Sequence, residues 1–453
     1  MDFIGKRKTL AAGVAAILLT LPQLAQADLE INKYGVTLGV YALVDAGYAY
    51  LEHSYGGSSV FMSTVNPYNL NSSSSSFNGI YTGGISASRW GVRGDVDLGN
   101  DRKGFFKLES TIDATSGQLS NNGQSIFNAY NSSVGGRPGS ANGASAINGQ
   151  LFSRAAYLGI SDPLFGSLEI GRTTNFSLDQ VGQYDPVQAA LLFSPLGFSG
   201  GIGGGLGATE NTRLDNSIKY ENKVSGLKYG EVDLGEVNFG FQYKFATGST
   251  DQSAGSAYVA MLGYGYGPFS IKGTYSQTFD TVAWATQYSN VVTPDSNLQI
   301  ENTQGYMLAG MYKINSDATV KAGYEFSKIN APSNTNLTNI VNYYGITLPN
   351  PAVNASPDQL FETFWIGGDY KFTEKFDLGV GYFRINTYNN PDKGKDYIAN
   401  AYSVLADYTF NKYFDTYTAM MIMEYSGEGL AKHAPINAYS SNALFGTGIR
   451  FKF

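Results

Sequence analysis

The chain has 453 residues, of which 14% are aromatic, 15% are charged and 55 are glycine, with 33 Tyr and 27 Phe against 3 Trp. A formal net charge of −7 disfavours a nucleic-acid partner, which demands a basic surface; the absence of cysteine excludes a disulfide framework and thiolate-based metal or catalytic chemistry. Few soluble globules look like this, whereas a β-rich chain whose aromatics belt a membrane interface does.

Taken in order, the chain opens with Lys6, Arg7 and Lys8 ahead of an apolar run from Leu10 to Leu24, and Ala25-Gln26-Ala27 fits a cleavage site. Residues 1–27 read as a secretory signal peptide, since the run is short and contains Pro22, unlike a membrane anchor. Without that segment, which holds three basic residues and one acidic, the net charge moves from −7 to −9. The mature chain, 28–453, reads as a single domain.

From Val36 the even positions Val36, Leu38, Val40, Ala42, Val44, Ala46, Tyr48 and Tyr50 are all apolar, while the odd ones include Thr37, Gly39 and Asp45. Period two over this length predicts a strand with one apolar and one wetter face. The pattern returns at Val237–Phe245, Val320–Phe326 and Tyr402–Phe410 and ends on Phe445, Thr447, Ile449, Phe451 and Phe453. Each run has about the ten residues that a tilted strand needs to cross a bilayer. Short turns at Asn315-Ser316-Asp317, Thr373-Glu374-Lys375 and Asn411-Lys412-Tyr413 alternate with long Ser, Asn and Gly-rich loops at Glu52–Gly84, Ala114–Gln150 and Ile329–Gln359. The expected fold is all-β, a transmembrane antiparallel β-barrel of about 16 strands, with short turns at one end and long loops at the other. A soluble sandwich would show the same local alternation but would bury its aromatic rows.

One loop is different. Between Gly171 and Asn216 lies a segment whose core, AALLFSPLGF, is too apolar for disorder in water and far short of the ~20 residues of a membrane helix. It predicts a segment, 173–212, folded into the barrel lumen. The glycines from Gly201 to Gly205 lack the strand-then-helix context of a phosphate loop.

SRWGVRGDVDLG from Ser88, LFSRAAYLGISDPLFGSLEIGR from Leu151, LDQVGQYDP from Leu178, RLDNSIKY from Arg213 and the terminal Phe453 resemble the trimeric general diffusion porins of Gram-negative outer membranes. The resemblance implies a homotrimer, a third loop narrowing the pore, and a water-filled channel for passive diffusion of small hydrophilic solutes and ions. It also implies contact with membrane lipids and lipopolysaccharide, and recognition of Phe453 by the barrel-assembly machinery. By motif position, Arg89, Arg154 and Arg213 are the basic wall of the constriction, and Asp185 and Asp179 are the facing loop acids.

Strand parity adds Asp45 and Arg93 as lumen charges. It also places Arg89, Arg93 and Asp95 opposite Trp90, Val92 and Val96, and Arg213, Asp215, Lys219 and Glu221 opposite Leu214, Ile218 and Tyr220. Arg172 shares the outward parity of Leu168 and Ile170, so a subunit interface would be its shelter. The chain departs from the family where Leu43 replaces a lumen lysine and where PVQAALLF lacks a second loop acid, which predicts a less charged, more apolar constriction. An alternative is a substrate-selective porin with a binding track for one solute, built from the loop core and tyrosines such as Tyr41. With His53 and His433 as the only histidines, both in loops, neither a catalytic triad nor a histidine metal site is expected, and no cofactor is implied.

Overall fold

The computed structural model describes residues 29–33, 35–52, 76–112, 114, 115, 117, 151–196, 213–246, 255–284, 298–331, 354, 355, 359–388, 397–426 and 441–453. Residues 1–27, read as a signal peptide, lie outside them, as do His53, His433 and residues 197–212 of the inward loop.

In chain order the strands are β1 (Leu29–Lys33), β2 (Val36–Leu51), β3 (Phe77–Thr82), β4 (Arg89–Gly99), β5 (Arg102–Thr111), β6 (Ala155–Asp162), β7 (Gly166–Thr174), β8 (Arg213–Val224), β9 (Lys228–Tyr229), β10 (Val232–Asp233), β11 (Glu236–Lys244), β12 (Ala257–Tyr266) and β13 (Phe269–Trp284). They continue as β14 (Leu298–Lys313), β15 (Ala318–Asn330), β16 (Asn354–Ala355), β17 (Gln359–Lys371), β18 (Phe376–Tyr388), β19 (Tyr397–Asn411), β20 (Phe414–Ser426) and β21 (Ser441–Lys452). Among the described residues one helix, α1 (Phe176–Tyr184), follows β7.

Successive long strands pair antiparallel, β8 pairs with β11 across the small β9–β10 hairpin, and β21 returns to β2, closing a 16-strand barrel. Closure leaves no sheet edge, which is what allows strands to stand in lipid. Leu43 to Leu51 of β2 pair with β21, and the carbonyl and amide of Phe453 bond Ala42 at 2.9 and 3.0 Å.

The alternation behaves as the sequence predicts. On β2, Val36, Leu38, Val40, Tyr48 and Tyr50 are exposed on the outer face, while Leu43, Asp45, Ala49 and Leu51 are buried inside. Phe239 and Phe241 on β11, Tyr306 and Leu308 on β14, Phe364 and Ile366 on β17 and Tyr402 and Val404 on β19 likewise face out. A sandwich would have buried these rows; lipid is the solvent that tolerates them. Aromatic pairs stack at the short-turn end, Phe372–Phe376 (5.6 Å) and Phe410–Phe414 (5.7 Å), and midway along the strands, Tyr275–Tyr306 (4.9 Å) and Tyr382–Tyr402 (5.3 Å).

Two irregularities escape a period-two reading. Phe77–Thr82, assigned by the sequence to a long loop, is a strand. It lies end to end with β4 along β2, and residues 83–88 between them turn inward. At Asn216 (φ 48°) the register of β8 against β7 slips, between the pairs Gly171↔Ser217 and Thr173↔Leu214. One inserted residue inverts the faces beyond it, so Leu214 rather than Arg213 shares the lumen face with Ser217 and Lys219. Leu214 packs there in a cluster with Phe176 of α1 and Val259 and Met261 of β12.

Candidate functional site

The interior is divided between a polar wall on β4–β8 and a docked segment, residues 175–196. The segment starts with α1. Asn175 is its N-cap, accepting from the Leu178 amide at 2.9 Å, and Asp179 sits in the first turn where the helix dipole favours an acid. Phe176, Gln180, Val181 and Tyr184 form the buried stripe, and the helix ends where Pro186 disfavours a helical Asp185.

Anchors follow one after another around the barrel. Gln180 donates to the Lys272 carbonyl (2.8 Å) and accepts from Thr274 (2.5 Å), both on β13; the Tyr184 hydroxyl meets Ser270 at 2.6 Å. The Trp365 indole donates to the Tyr184 carbonyl, and Lys321 to the Asp185 carbonyl, each at 3.1 Å. Glycines let the chain lie close to the wall: a Cβ on Gly381 would come within 2.9 Å of Pro186, and one on Gly446 within 2.7 Å of Phe193. Finally the Leu192 amide donates to the Gly84 carbonyl of the inward turn at 3.0 Å.

This arrangement accounts for the apolar core of the loop, and it corrects the expectation of an apolar constriction. Val187, Ala190, Leu192, Phe193 and Leu196 join one buried cluster with Trp365, Phe383, Leu405, Tyr417 and Met421 of the barrel wall. They fasten the loop instead of lining the opening.

Asp185 is corrected in the same way. It is 0% exposed. Its carboxylate accepts from the Val187 amide (2.7 Å), the Ala189 amide and the Ser194 hydroxyl. It therefore clasps the loop tip, where Gln188 and Ala189 adopt the left-handed conformation at φ 62° and 53°. Burial raises its pKa to about 6, against the opposing pull of those donors and of Lys321. Asp179 is partly exposed and is neutralised by Lys219 at 2.7 Å, with Thr174 donating at 3.0 Å. Among the described residues, neither loop acid presents a free carboxylate to the basic wall.

Arg89, Arg154 and Arg213 lie near one another on this side of the barrel. Glu109 on β5 is the hub, bonded by Arg154 (2.6 Å), Lys107 (3.1 Å) and the Tyr41 hydroxyl (2.7 Å), with Arg89 at 3.8 Å. The charges nearest Arg213 are Arg154, Arg172, Glu109 and Arg89, and its Nε is buried without a hydrogen-bond partner. Arg172 is buried within its own chain, donating to the Ser153 carbonyl at 2.9 Å and pairing with Asp215. This intrachain shelter replaces the expected subunit interface. Among the described residues, five cationic groups, Arg89, Lys107, Arg154, Arg172 and Arg213, thus gather around Glu109 and Asp215, when Lys219 is set against Asp179.

Arg93 lies lower, half-buried and paired with Glu30 at 3.3 Å. Asp45 points inward but is sealed: the Ile85 and Ser86 amides (2.9 and 2.8 Å) and the Tyr417 hydroxyl (2.6 Å) hold its carboxylate. It shapes the inward turn 83–88 and is not an open lumen charge. Sequence reasoning missed Glu109 and Lys107, although both lie on the odd, inward parity of β5.

A profile described as Gram-negative porin matches residues 11–428. An outer membrane porin protein of Bordetella pertussis is 29% identical over 285 residues, 60% of this chain and 59% of the relative. Outer membrane porin protein 32 of Delftia acidovorans is 27% identical over 256 residues, 56% and 57%. The match thus spans somewhat more than half the length of these curated relatives. Among solved structures, an anion-selective porin from Comamonas acidovorans superposes with TM-score 0.58 at 18% identity, over 92% of this chain and 100% of that one. The trimer form of OmpT from Vibrio cholerae gives 0.56 at 15%, over 92% and 100%. At these identities the superpositions speak for the fold alone, whereas the profile spans nearly the whole sequence. The chain belongs to the Gram-negative porin family, as a β-barrel of the outer membrane.

Proposed function

We propose that the barrel is a water-filled channel for passive diffusion of small hydrophilic solutes and ions, and that its constriction favours anions. The observation that carries the second part is the asymmetry of the narrowing. Among the described residues, Arg89, Arg154 and Arg213, with Lys107, gather around Glu109, while the facing loop turns Asp185 into its core and neutralises Asp179. A field from unbalanced cations between low-dielectric walls concentrates anions at the opening. The similar structure from Comamonas acidovorans is an anion-selective porin, in accord with this reading. Reversal-potential measurement in planar bilayers under a KCl gradient tests it: chloride should carry more current than potassium, and a cation-selective channel would refute it.

The assembly follows from the outer face. Leu158, Ile160 and Ile170 on β6 and β7 form an aliphatic surface, in contrast to the aromatic girdles of β13–β20. This contrast supports β6 and β7 as part of the contact between copies in a homotrimer, with the aromatic side facing lipid and lipopolysaccharide. The half-exposed terminal Phe453 suits recognition by the barrel-assembly machinery.

A further inference from the structure

Beneath α1 lies a side pocket that the constriction does not use. It is enclosed by Gln183 and Tyr184 of the helix, Glu221 of β8, Asn238 of β11, and Ser270 and Lys272 of β13, with a cavity volume of about 40 Å³. That is room for about three waters or one solute of roughly glycine's size.

Its polar groups are not used up by the protein. Lys272 is only 8% exposed, yet among the described residues its ammonium makes no ion pair or hydrogen bond. Glu221 is the first of the charges that act on it; the two are farther apart than an ion pair, and the Glu221 carboxylate has no partner of its own among the described residues. Among the described residues the side-chain amides of Asn238 and Gln183 are equally unengaged. The neighbouring charges are accounted for, since Lys223 pairs with Glu236 at 2.7 Å and Lys219 with Asp179. A buried, unpaired ammonium is costly unless something completes it.

The geometry points to a binding site for small zwitterions of the α-amino-acid class. Lys272 receives the carboxylate, Glu221 receives the ammonium, and the amides of Asn238 and Gln183 supply the remaining hydrogen bonds. An ion of either sign would satisfy one charge and leave the other bare; a zwitterion satisfies both. The site rests on the channel reading and adds a stopping place beside the path.

The test uses the full-length protein in planar bilayers, with glycine as the probe and glycerol at the same concentration as the uncharged comparison. Glycine should depress the KCl current saturably and glycerol should not. Lys272→Gln and Glu221→Gln should each raise the half-blocking glycine concentration about tenfold or more, as expected when a charged hydrogen bond is lost. Heat-modifiable electrophoretic mobility establishes that each variant is a folded barrel. Equal effects of glycine and glycerol, or glycine block surviving in both variants, would overturn the proposal. Ion selectivity is read separately from the reversal potential, so failure of the anion preference leaves this result standing, and the reverse.

Discussion

Replacing Asp185 by asparagine separates two readings of the constriction loop. A carboxylate facing the opening contributes fixed negative charge, and its removal would move the reversal potential toward anions. The structure instead encloses Asp185 completely and raises its pKa from 3.8 to about 6, through burial first of all. At about 1.4 kcal/mol per tenfold change in proton affinity, that displacement amounts to about 3 kcal/mol between the docked and released loop. The sign follows from which form holds the proton more tightly. The docked loop does, so docking strengthens as pH falls through 6 toward 3.8 and is at its weakest above 6. Open-channel current noise should therefore be larger at about pH 7.5 than at about pH 4.5, with the change falling between 3.8 and 6. In Asp185→Asn the noise should lose this pH dependence while the reversal potential stays at the wild-type value. A shift of Asp185→Asn toward anion preference, or wild-type noise indifferent to pH, would refute the clasp.

Three further outcomes are expected. Arg154→Gln combined with Arg213→Gln should lower the chloride-to-potassium permeability ratio, and an unchanged ratio would remove both from the constriction. Phe193→Ala deletes a fully buried ring seated over Gly446, which costs about 3–5 kcal/mol of packing; unitary conductance and noise should rise while the barrel keeps its heat-modifiable mobility, and wild-type traces would show that the ring is not an anchor. Leu308 is 54% exposed on the outer face of β14, so Leu308→Lys should lower stability in urea-monitored unfolding by about 2–4 kcal/mol if that face meets the bilayer midplane, whereas a neutral effect would place it in water.

The relation between sequence and structure differs from element to element. Helix α1 went unread although Asn175 is a good N-cap and Phe176, Gln180, Val181 and Tyr184 recur at helical spacing, because nine residues is too short a window for that period to stand out. Arg89 and Arg154 were placed by motif and meet around Glu109, which the same inward parity on β5 would have supplied. Arg213 reaches the cluster despite its parity, not because of it, since the slip at Asn216 hands the lumen face to Leu214.

The barrel is legible in the chain alone: alternation from Val36 to Tyr50 and its repeats dictates two faces, and a strand whose apolar face finds no core must close on itself and meet lipid. Only the tertiary structure decided the fate of the inward loop. Asp185 and Asp179 are both acids of the same short stretch of chain. One is enclosed by amides and Ser194 and the other faces Lys219, because charge placement depends on partners separated from them by up to 136 residues in sequence, as Lys321 is from Asp185. The same holds for AALLFSPLGF, whose apolarity forecast a segment that avoids water. That it would find its shelter against the inner wall was settled by which side of the chain the glycines at 381 and 446 made room for.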